Sequence, residues 1–351
     1  MSWEDNVRKV VPYTPGEQPK SSGVIKLNTN ENPYPPSPLV AKAIKEYDAS
    51  LLRKYPDTGA SELVEEMASA YGVKSENIFV GIGSDDVLAL AFLTFFNSES
   101  PVIFPDITYS FYDVWAELYR IPYETKALDE EFRLKKEDYL CDNGGVVIAN
   151  PNAPTGVELS LDVIEEILAY NRDRVVIVDE AYVDFGARSA LPLIDKYDNL
   201  LVVQTFSKSR ALAGIRIGMA FGQKKLIDYL KDVKFSFNSY TLNPLTIAVG
   251  AAALRDDAYF KDITAKTVAT RERMKKELKE LGFSFADSRT NFVFATHERL
   301  TAEEIFTFLR EKNIFVRHFK KPRSIDNYLR ISVGTDEEID RLITALKELI
   351  R

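Results

Sequence analysis

The chain has 351 residues, 45% of them hydrophobic and 28% charged, with a formal net charge of −8. Such a composition folds rather than staying disordered, and the length exceeds one ordinary core, so two domains are expected. An acidic balance without a Lys/Arg-rich block argues against nucleic-acid binding, and a lone cysteine (Cys141) excludes an internal disulfide framework and argues against a Cys-based metal site.

The start, MSWEDNVRKVV, lacks the apolar core of a signal peptide, and no run approaches the ~18 apolar residues of a membrane span, so a cytoplasmic protein without membrane contact is expected. Residues 11–38 are rich in Pro, Asn and Gly and form an extended arm or linker, because Pro-Pro and Asn-Pro steps oppose helix. A helix follows over 38–48. Short apolar strands then stand at 78–80, 102–104, 146–149, 175–178 and 201–203, with helical patterns at 85–96 and 161–170 between them. Val, Ile and Leu runs without polar alternation suit strands covered on both faces, and the near-thirty-residue steps from 146 to 175 to 201 match βαβ units. The fold class is therefore α/β: a large domain with a mostly parallel sheet between helices, over 37–247. After a break near 235–246 come helical patterns at 246–255 and 264–281, then alternating strand and helix to a last helix from Asp336. Residues 1–36 and 248–351 are assigned to a smaller α+β domain that includes the arm.

In open α/β sheets, ligands bind beyond the carboxyl ends of the strands. Five successive strand ends here carry small, polar or ionisable residues: Gly81 to Asp86, Pro105 with Tyr109, Asn150 to Gly156, Asp179 to Tyr182, and Thr205 to Lys208. Singly, each has a plain structural reading. The Gly81/Gly83 turn lacks the third glycine of a dinucleotide fingerprint, Lys208 alone reads as a surface lysine, and Asn152 to Gly156 alone is a turn. Together they suit pyridoxal phosphate. Lys208 offers the Schiff-base amine, Asp179 an acid for the pyridine nitrogen, and the turn at 81–84 a helix N-terminus for the phosphate, helped by Ser207 and Arg216. His297 and His318 show no metal-ligand spacing, and no metal is expected.

Six motifs then give a resemblance: NTNENPYPPSP (28–38), RKYPD (53–57), NPNAPTG (150–156), VDEAYVDF (178–185), TFSKSRALAGIRIG (205–218) and YLRISVGT (328–335). In this order, over nearly the whole chain, the sequence resembles the fold-type I aminotransferases and, within them, the histidinol-phosphate aminotransferases. The resemblance implies that Lys208 holds the cofactor and moves the substrate's proton, and that Asp179 pairs with the pyridine nitrogen. Asn152 and Tyr182 would bond the phenolic oxygen and Tyr109 stack on the ring. Ser84, Asp85 through its backbone N–H, Ser207 and Arg216 would hold the phosphate. Tyr55 would reach the neighbouring subunit's cofactor, which implies a homodimer. Arg330, helped by Arg317, would take the substrate's anionic end, with Tyr13 and Asn30 on the substrate side. The implied reaction is ping-pong: glutamate leaves as 2-oxoglutarate, and its amino group passes to imidazole-acetol phosphate to give histidinol phosphate.

Three features depart from the commonest family pattern or have no assigned role. Asp86 stands where many relatives carry Glu, and Arg210 where many carry an aromatic or aliphatic residue; Arg210 is read as a surface residue, with an indirect contact behind the phosphate site as the alternative. The basic stretch HFKKPRSIDN (318–327) is read as a solvated loop, with a phosphate-seeking role for Lys320, Lys321 or Arg323 as the alternative. The competing enzymes are an aromatic aminotransferase, a threonine-phosphate decarboxylase, against which Ser209 after Lys208 speaks, and a C–S lyase. A non-catalytic regulator would need a DNA-binding domain for which the ~40 residues before the large domain are too few.

Overall fold

The computed structural model describes residues 2–19 and 23–351. An extended arm leads to β1 (Ile25–Leu27), α1 (Pro38–Glu46) and α2 (Ser61–Tyr71). Strands and helices then alternate through β2 (Ile78–Gly81), α3 (Ser84–Phe95), β3 (Val102–Pro105), α4 (Tyr112–Tyr119), β4 (Tyr123–Lys126), β5 (Gly145–Ala149), α5 (Leu161–Tyr170), β6 (Val176–Asp179), β7 (Leu200–Thr205) and β8 (Gly218–Phe221). Helices α6 (Lys224–Phe237), α7 (Pro244–Arg255) and α8 (Asp257–Glu280) follow. The chain ends with β9 (Phe283–Phe285), β10 (Phe292–His297), α9 (Ala302–Glu311), β11 (Ile314–His318), β12 (Leu329–Ser332) and α10 (Asp336–Ile350).

Seven strands form the large sheet in the order β2-β8-β7-β6-β5-β3-β4. Its central strands are apolar on both faces, and the two-residue period of a strand sorts them. Val146, Ile148, Val176, Val178, Leu200 and Val202 join one buried cluster; Val147, Ile177, Leu201 and Val203 join the other. Two strands of this sheet escaped the sequence reading. The edge strand β4 (YETK) is polar and largely exposed. β8 carries two of its four residues as Gly and Ala, and it alone runs antiparallel to its neighbours. That reversal places Gly218, at the start of β8, beside Gly81 at the end of β2 and Thr205 at the end of β7. The carboxyl ends of β2, β3, β5, β6 and β7 thus share one edge with the start of β8.

The second sheet has the order β1-β11-β12-β10-β9. β1 pairs in parallel with β11 (Ile25 with Ile314), so the arm is stitched to the C-terminal part by main-chain hydrogen bonds. The boundary placed at residue 247 falls inside α7. Ile247, Val249, Ala253 and Leu254 pack into the same cluster as Leu63 and the large sheet. Arg271 on α8 then ties the two parts together: its buried guanidinium donates to Phe185 O (2.7 Å) and Thr290 O (2.9 Å).

Candidate active site

The strand ends converge on a cavity lined by Ser84, Tyr109, Ala149, Pro151, Ala153, Asp179, Ala181, Tyr182 and Lys208. Asp179 is the last residue of β6 and is 5% exposed. Burial pushes its carboxyl up to about 6, against a hydrogen bond from Tyr112 Oη to Oδ2 (2.8 Å) and one from the Ala181 N–H to Oδ1 (3.2 Å). No cation pairs with it among the described residues; a buried carboxylate so placed is costly unless a cationic ligand group meets it. Glu180, one residue on, points the other way. It accepts from Ser189, the Ala190 N–H and Gln204, and burial pushes it up to about 7. The acidic pair in the VDEAYVDF motif is thus split between cavity and scaffold by the two-residue period of the strand.

Lys208 follows β7 by three residues. Among the described residues its ammonium has one long bond, to Thr29 O (3.4 Å), and it lies 5.7 Å from the Tyr182 ring centroid. Asn32 Nδ2 donates to the carbonyls of Lys208 (3.0 Å) and Ser209 (3.2 Å), fixing the turn that carries the lysine. Tyr182 Oη accepts from Asn30 Nδ2 (2.9 Å), and Asn30 Oδ1 in turn accepts from Ser332 Oγ (2.9 Å). Asn30 therefore sits behind Tyr182, in the left-handed region (φ 57°), and links β12 to the cavity wall.

An anion cradle closes the other end. Gly83 (φ 83°) caps α3, so the N–H groups of Ser84 and Asp85 open the helix. A Cβ on Gly218 would collide with the backbone of Gly83 and Ser84, which is why this close approach needs glycine. Arg216 stands beside them, with Nη1 3.5 Å from Ser207 Oγ and Nη2 3.4 Å from Asp85 Oδ2, while Tyr109 Oη donates to Asp85 Oδ1 (2.8 Å). Ser84, Asp85, Tyr109, Ser207 and Arg216 are thus brought together with Lys208, Asp179 and Tyr182.

A wider cleft of about 700 Å³ shares Tyr109 and Ala153 with this cavity and is lined further by Tyr13, Arg317 and Arg330. Arg330 crosses the Phe292 and Phe319 rings (5.4 Å each); among the described residues it donates once, from Nη2 to Asn28 O (3.2 Å), and its buried Nε has no partner. Burial lowers its hold on its proton. A half-buried guanidinium with donors to spare is an anion site in waiting. Arg317 donates to Thr14 O (3.2 Å) and Pro15 O (3.5 Å) of the arm, and Tyr13 stacks on Phe111 at 4.3 Å.

The family-model comparison matches residues 22–346 to the family described as aminotransferase class I and II. The chain belongs to that family. Its relatives include histidinol-phosphate aminotransferases of Lactococcus lactis subsp. cremoris, 51% identical over all of this chain and 98% of the relative, and of Clostridium acetobutylicum, 51% identical over 99% of each. Among solved structures, histidinol-phosphate aminotransferase from Sinorhizobium meliloti in complex with pyridoxal-5'-phosphate superposes with a TM-score of 0.85. It is 26% identical and covers 93% of this chain and 91% of that one. For this aminotransferase, two sequence expectations need correction. Asn152 does not line the cavity: its Nδ2 donates to Ile107 O (2.9 Å) and Thr155 Oγ1 (3.0 Å), and its Oδ1 accepts from Thr108 (2.9 Å). Its carboxamide is spent on the turn, and the apolar Ala153 takes the wall position, so no donor to a phenolic oxygen comes from Asn152. Arg210 is buried, not on the surface. It packs 4.1 Å from the Phe260 centroid and donates to Ala253 O (3.1 Å), so it anchors the lysine turn to α7.

Tyr55 lies apart from the cavity, 82% exposed and against Tyr240 at 4.6 Å. Tyr112 was missed by sequence reasoning. Its only signal was the three-residue step from Tyr109 at the opening of α4, which helical spacing shares with any core pair. Thr29 and Asn32 lie in a recognised motif but showed no signal of contact with Lys208, because 176 to 179 residues separate them from it. His297 is buried and structural, with its ring bonded to Leu281 O and the N–H groups of Arg299 and Leu300.

Proposed function

We propose that this aminotransferase exchanges an amino group between L-glutamate and histidinol phosphate, using pyridoxal phosphate, as a step of histidine biosynthesis. The observation that carries the reading is the unpaired, buried Asp179 facing the same cavity as Lys208, with the half-bonded Arg330 across the adjoining cleft. The donor set fits the cofactor: one buried acid without a cation, one lysine with a single long bond, and a glycine-lined helix N-terminus beside an arginine. When bound, pyridoxal phosphate supplies an electron-withdrawing ring that acidifies the substrate Cα–H.

In this reading Lys208 would hold the cofactor, and its Nζ would take the proton from the substrate Cα. Asp179 keeps a proton on the pyridine nitrogen and is paired by doing so. Tyr112 holds Asp179 in place. Tyr182, whose oxygen already accepts from Asn30, has its own proton left to donate to the phenolic oxygen. Asn30 is thus a positioning residue rather than a substrate ligand. Ser84, the Asp85 N–H, Ser207 and Arg216 would bind the phosphate, and Tyr109 would pack against the ring. Arg330, with Arg317, takes a carboxylate from one substrate and a phosphate from the other, since a planar guanidinium fork suits both. Tyr13 closes the substrate side.

The same reading makes the unit a homodimer in the cytoplasm. Tyr55, exposed and packed on the half-exposed Tyr240, is free to meet a second copy, which would carry Tyr55 to the partner's cofactor. It divides the chain into a cofactor domain from residue 37 to the end of α7 and a second domain of the arm plus α8 to α10.

The test mixes cofactor-loaded protein with histidinol phosphate and follows the absorbance spectrum through one half-reaction, with phenylalanine and O-phosphothreonine alongside. Rapid conversion with histidinol phosphate supports the reading. Conversion with phenylalanine alone, or carbon dioxide release from O-phosphothreonine, would move the function to a relative of the same fold.

A further inference from the structure

The basic stretch at 318–327 exposes Lys320, Lys321 and Arg323, as a solvated loop does, but the loop is held in place. It is anchored at both ends: His318 Nε2 bonds Asp326 O at 2.7 Å, and Ile325, 2% exposed, packs with Phe294 and with Ile107 from across the cleft. Its consecutive lysines point in different directions. Lys320 reaches outward to Glu303 at 3.3 Å, whereas Lys321 lines the cleft, as does Arg323. Among the described residues neither Lys321 nor Arg323 makes an ion pair or a side-chain hydrogen bond, whereas Lys320 beside them is paired with Glu303. The cleft wall therefore carries four cations, Arg317, Arg330, Lys321 and Arg323, and two acids, Asp106 and Asp113. Asp106 is occupied by the Leu128 N–H (3.1 Å), and burial raises the proton affinity of Asp113. The wall holds an excess of two positive charges even with both acids ionised.

A single carboxylate is matched by the inner guanidinium of Arg330 with help from Arg317. It leaves the outer pair without a counter-charge. A phosphate monoester is a dianion near neutral pH, with three acceptor oxygens, and it can meet both tiers. We propose that Lys321 and Arg323 form an outer anion tier of the substrate cleft that selects phosphate monoesters over substrates whose only anion at that end is a carboxylate. This rests on the cleft being the substrate site, as read above. The two residues are specificity determinants: they act on binding of the anionic end and leave the proton transfer at Lys208 untouched. The glutamate half-reaction must proceed without them.

The experiment uses cofactor-loaded protein and the variants Lys321→Ala, Arg323→Ala, the double variant, and Lys320→Ala as the outward-facing control. Binding of inorganic phosphate is measured by calorimetry, and KM and kcat are measured for histidinol phosphate and for L-glutamate. The double variant should bind phosphate about 10-fold more weakly and raise KM for histidinol phosphate about 10-fold with kcat held, while the glutamate KM moves less than about 2-fold. Both phosphate effects should shrink at high salt, and Lys320→Ala should behave as the parent. Equal losses for glutamate and histidinol phosphate, or unchanged phosphate binding in the double variant, would overturn the proposal. If the parent binds phosphate through these residues yet fails to turn over histidinol phosphate, the outer tier stands and the substrate reading falls.

Discussion

Tyr112 donates a 2.8 Å hydrogen bond to Asp179 Oδ2 inside a wall where the tyrosine is wholly buried. The carboxylate it restrains is the one facing the cavity, and burial of the pair also raises the tyrosine's own proton affinity. Tyr112→Phe keeps the ring packing against Phe92 and Trp115 and removes only the donor. Loss of a hydrogen bond to a charged group costs about 1.5–3 kcal/mol. Asp179 should then hold its own proton more tightly and share less with the pyridine nitrogen. Cofactor affinity should fall about 10-fold or more, read by fluorescence titration, with a parallel loss in kcat.

Asp179 gives a pH signature in the cofactor-free protein. Its folded-state value, raised to about 6 from an unfolded value near 3.8, means the folded state binds the proton more tightly. The stability it contributes is therefore intact below about 4 and is lost as pH rises through 6. Asp179→Asn abolishes this loss. The cofactor-free variant should unfold at the same denaturant midpoint as the parent near pH 4 and be more stable at pH 7.5, by up to about 3 kcal/mol. With cofactor present the order should reverse at pH 7.5, because the parent alone gains a paired charge. A parent and variant of equal stability at pH 7.5 without cofactor would contradict the burial argument.

Lys208→Ala should abolish the cofactor's yellow linkage band and lower turnover by about 10³-fold or more, the scale of a lost proton-transfer group. Because Lys208 makes only one long bond, the variant should fold with an unchanged melting temperature, and differential scanning calorimetry separates the two effects.

Asn30→Asp tests the link between β12 and the cavity. The substitution keeps the left-handed backbone tolerable but replaces the amide that donates to Tyr182 with an acceptor. Tyr182 then turns its proton toward residue 30. The absorbance band of the bound cofactor should shift in its pH midpoint, with kcat reduced about 10-fold and cofactor phosphate binding retained.

Gly218→Ala addresses the cradle. A methyl group there meets the backbone of Gly83 and Ser84, which cannot yield as a flexible side chain would. The overpacking cost of about 1–3 kcal/mol should appear as weaker pyridoxal phosphate binding, read by equilibrium dialysis. Gly214→Ala, where no atom stands within 4 Å, should bind as the parent does.

The sequence by itself determined the α/β class, the order of the apolar strands and most of the residues at their ends. These follow from local rules: a strand covered on both faces must be apolar throughout, and an open sheet offers its carboxyl edge to ligands. Lys208, Asp179, Ser84 and Arg216 were legible because each follows directly on such a strand or stands in a motif of fixed spacing. Tertiary structure decided what no local pattern encodes. The reversal of β8 brings Gly218 onto the cradle, and the turn of NPNAPTG spends the Asn152 carboxamide and presents Ala153 instead. Burial of Arg210 against Phe260 depends on where α8 lies, and the bonds Tyr112–Asp179 and Asn30–Tyr182 span 67 and 152 residues. Each is a choice among several directions open to one side chain, and only the packing of distant segments removes the alternatives.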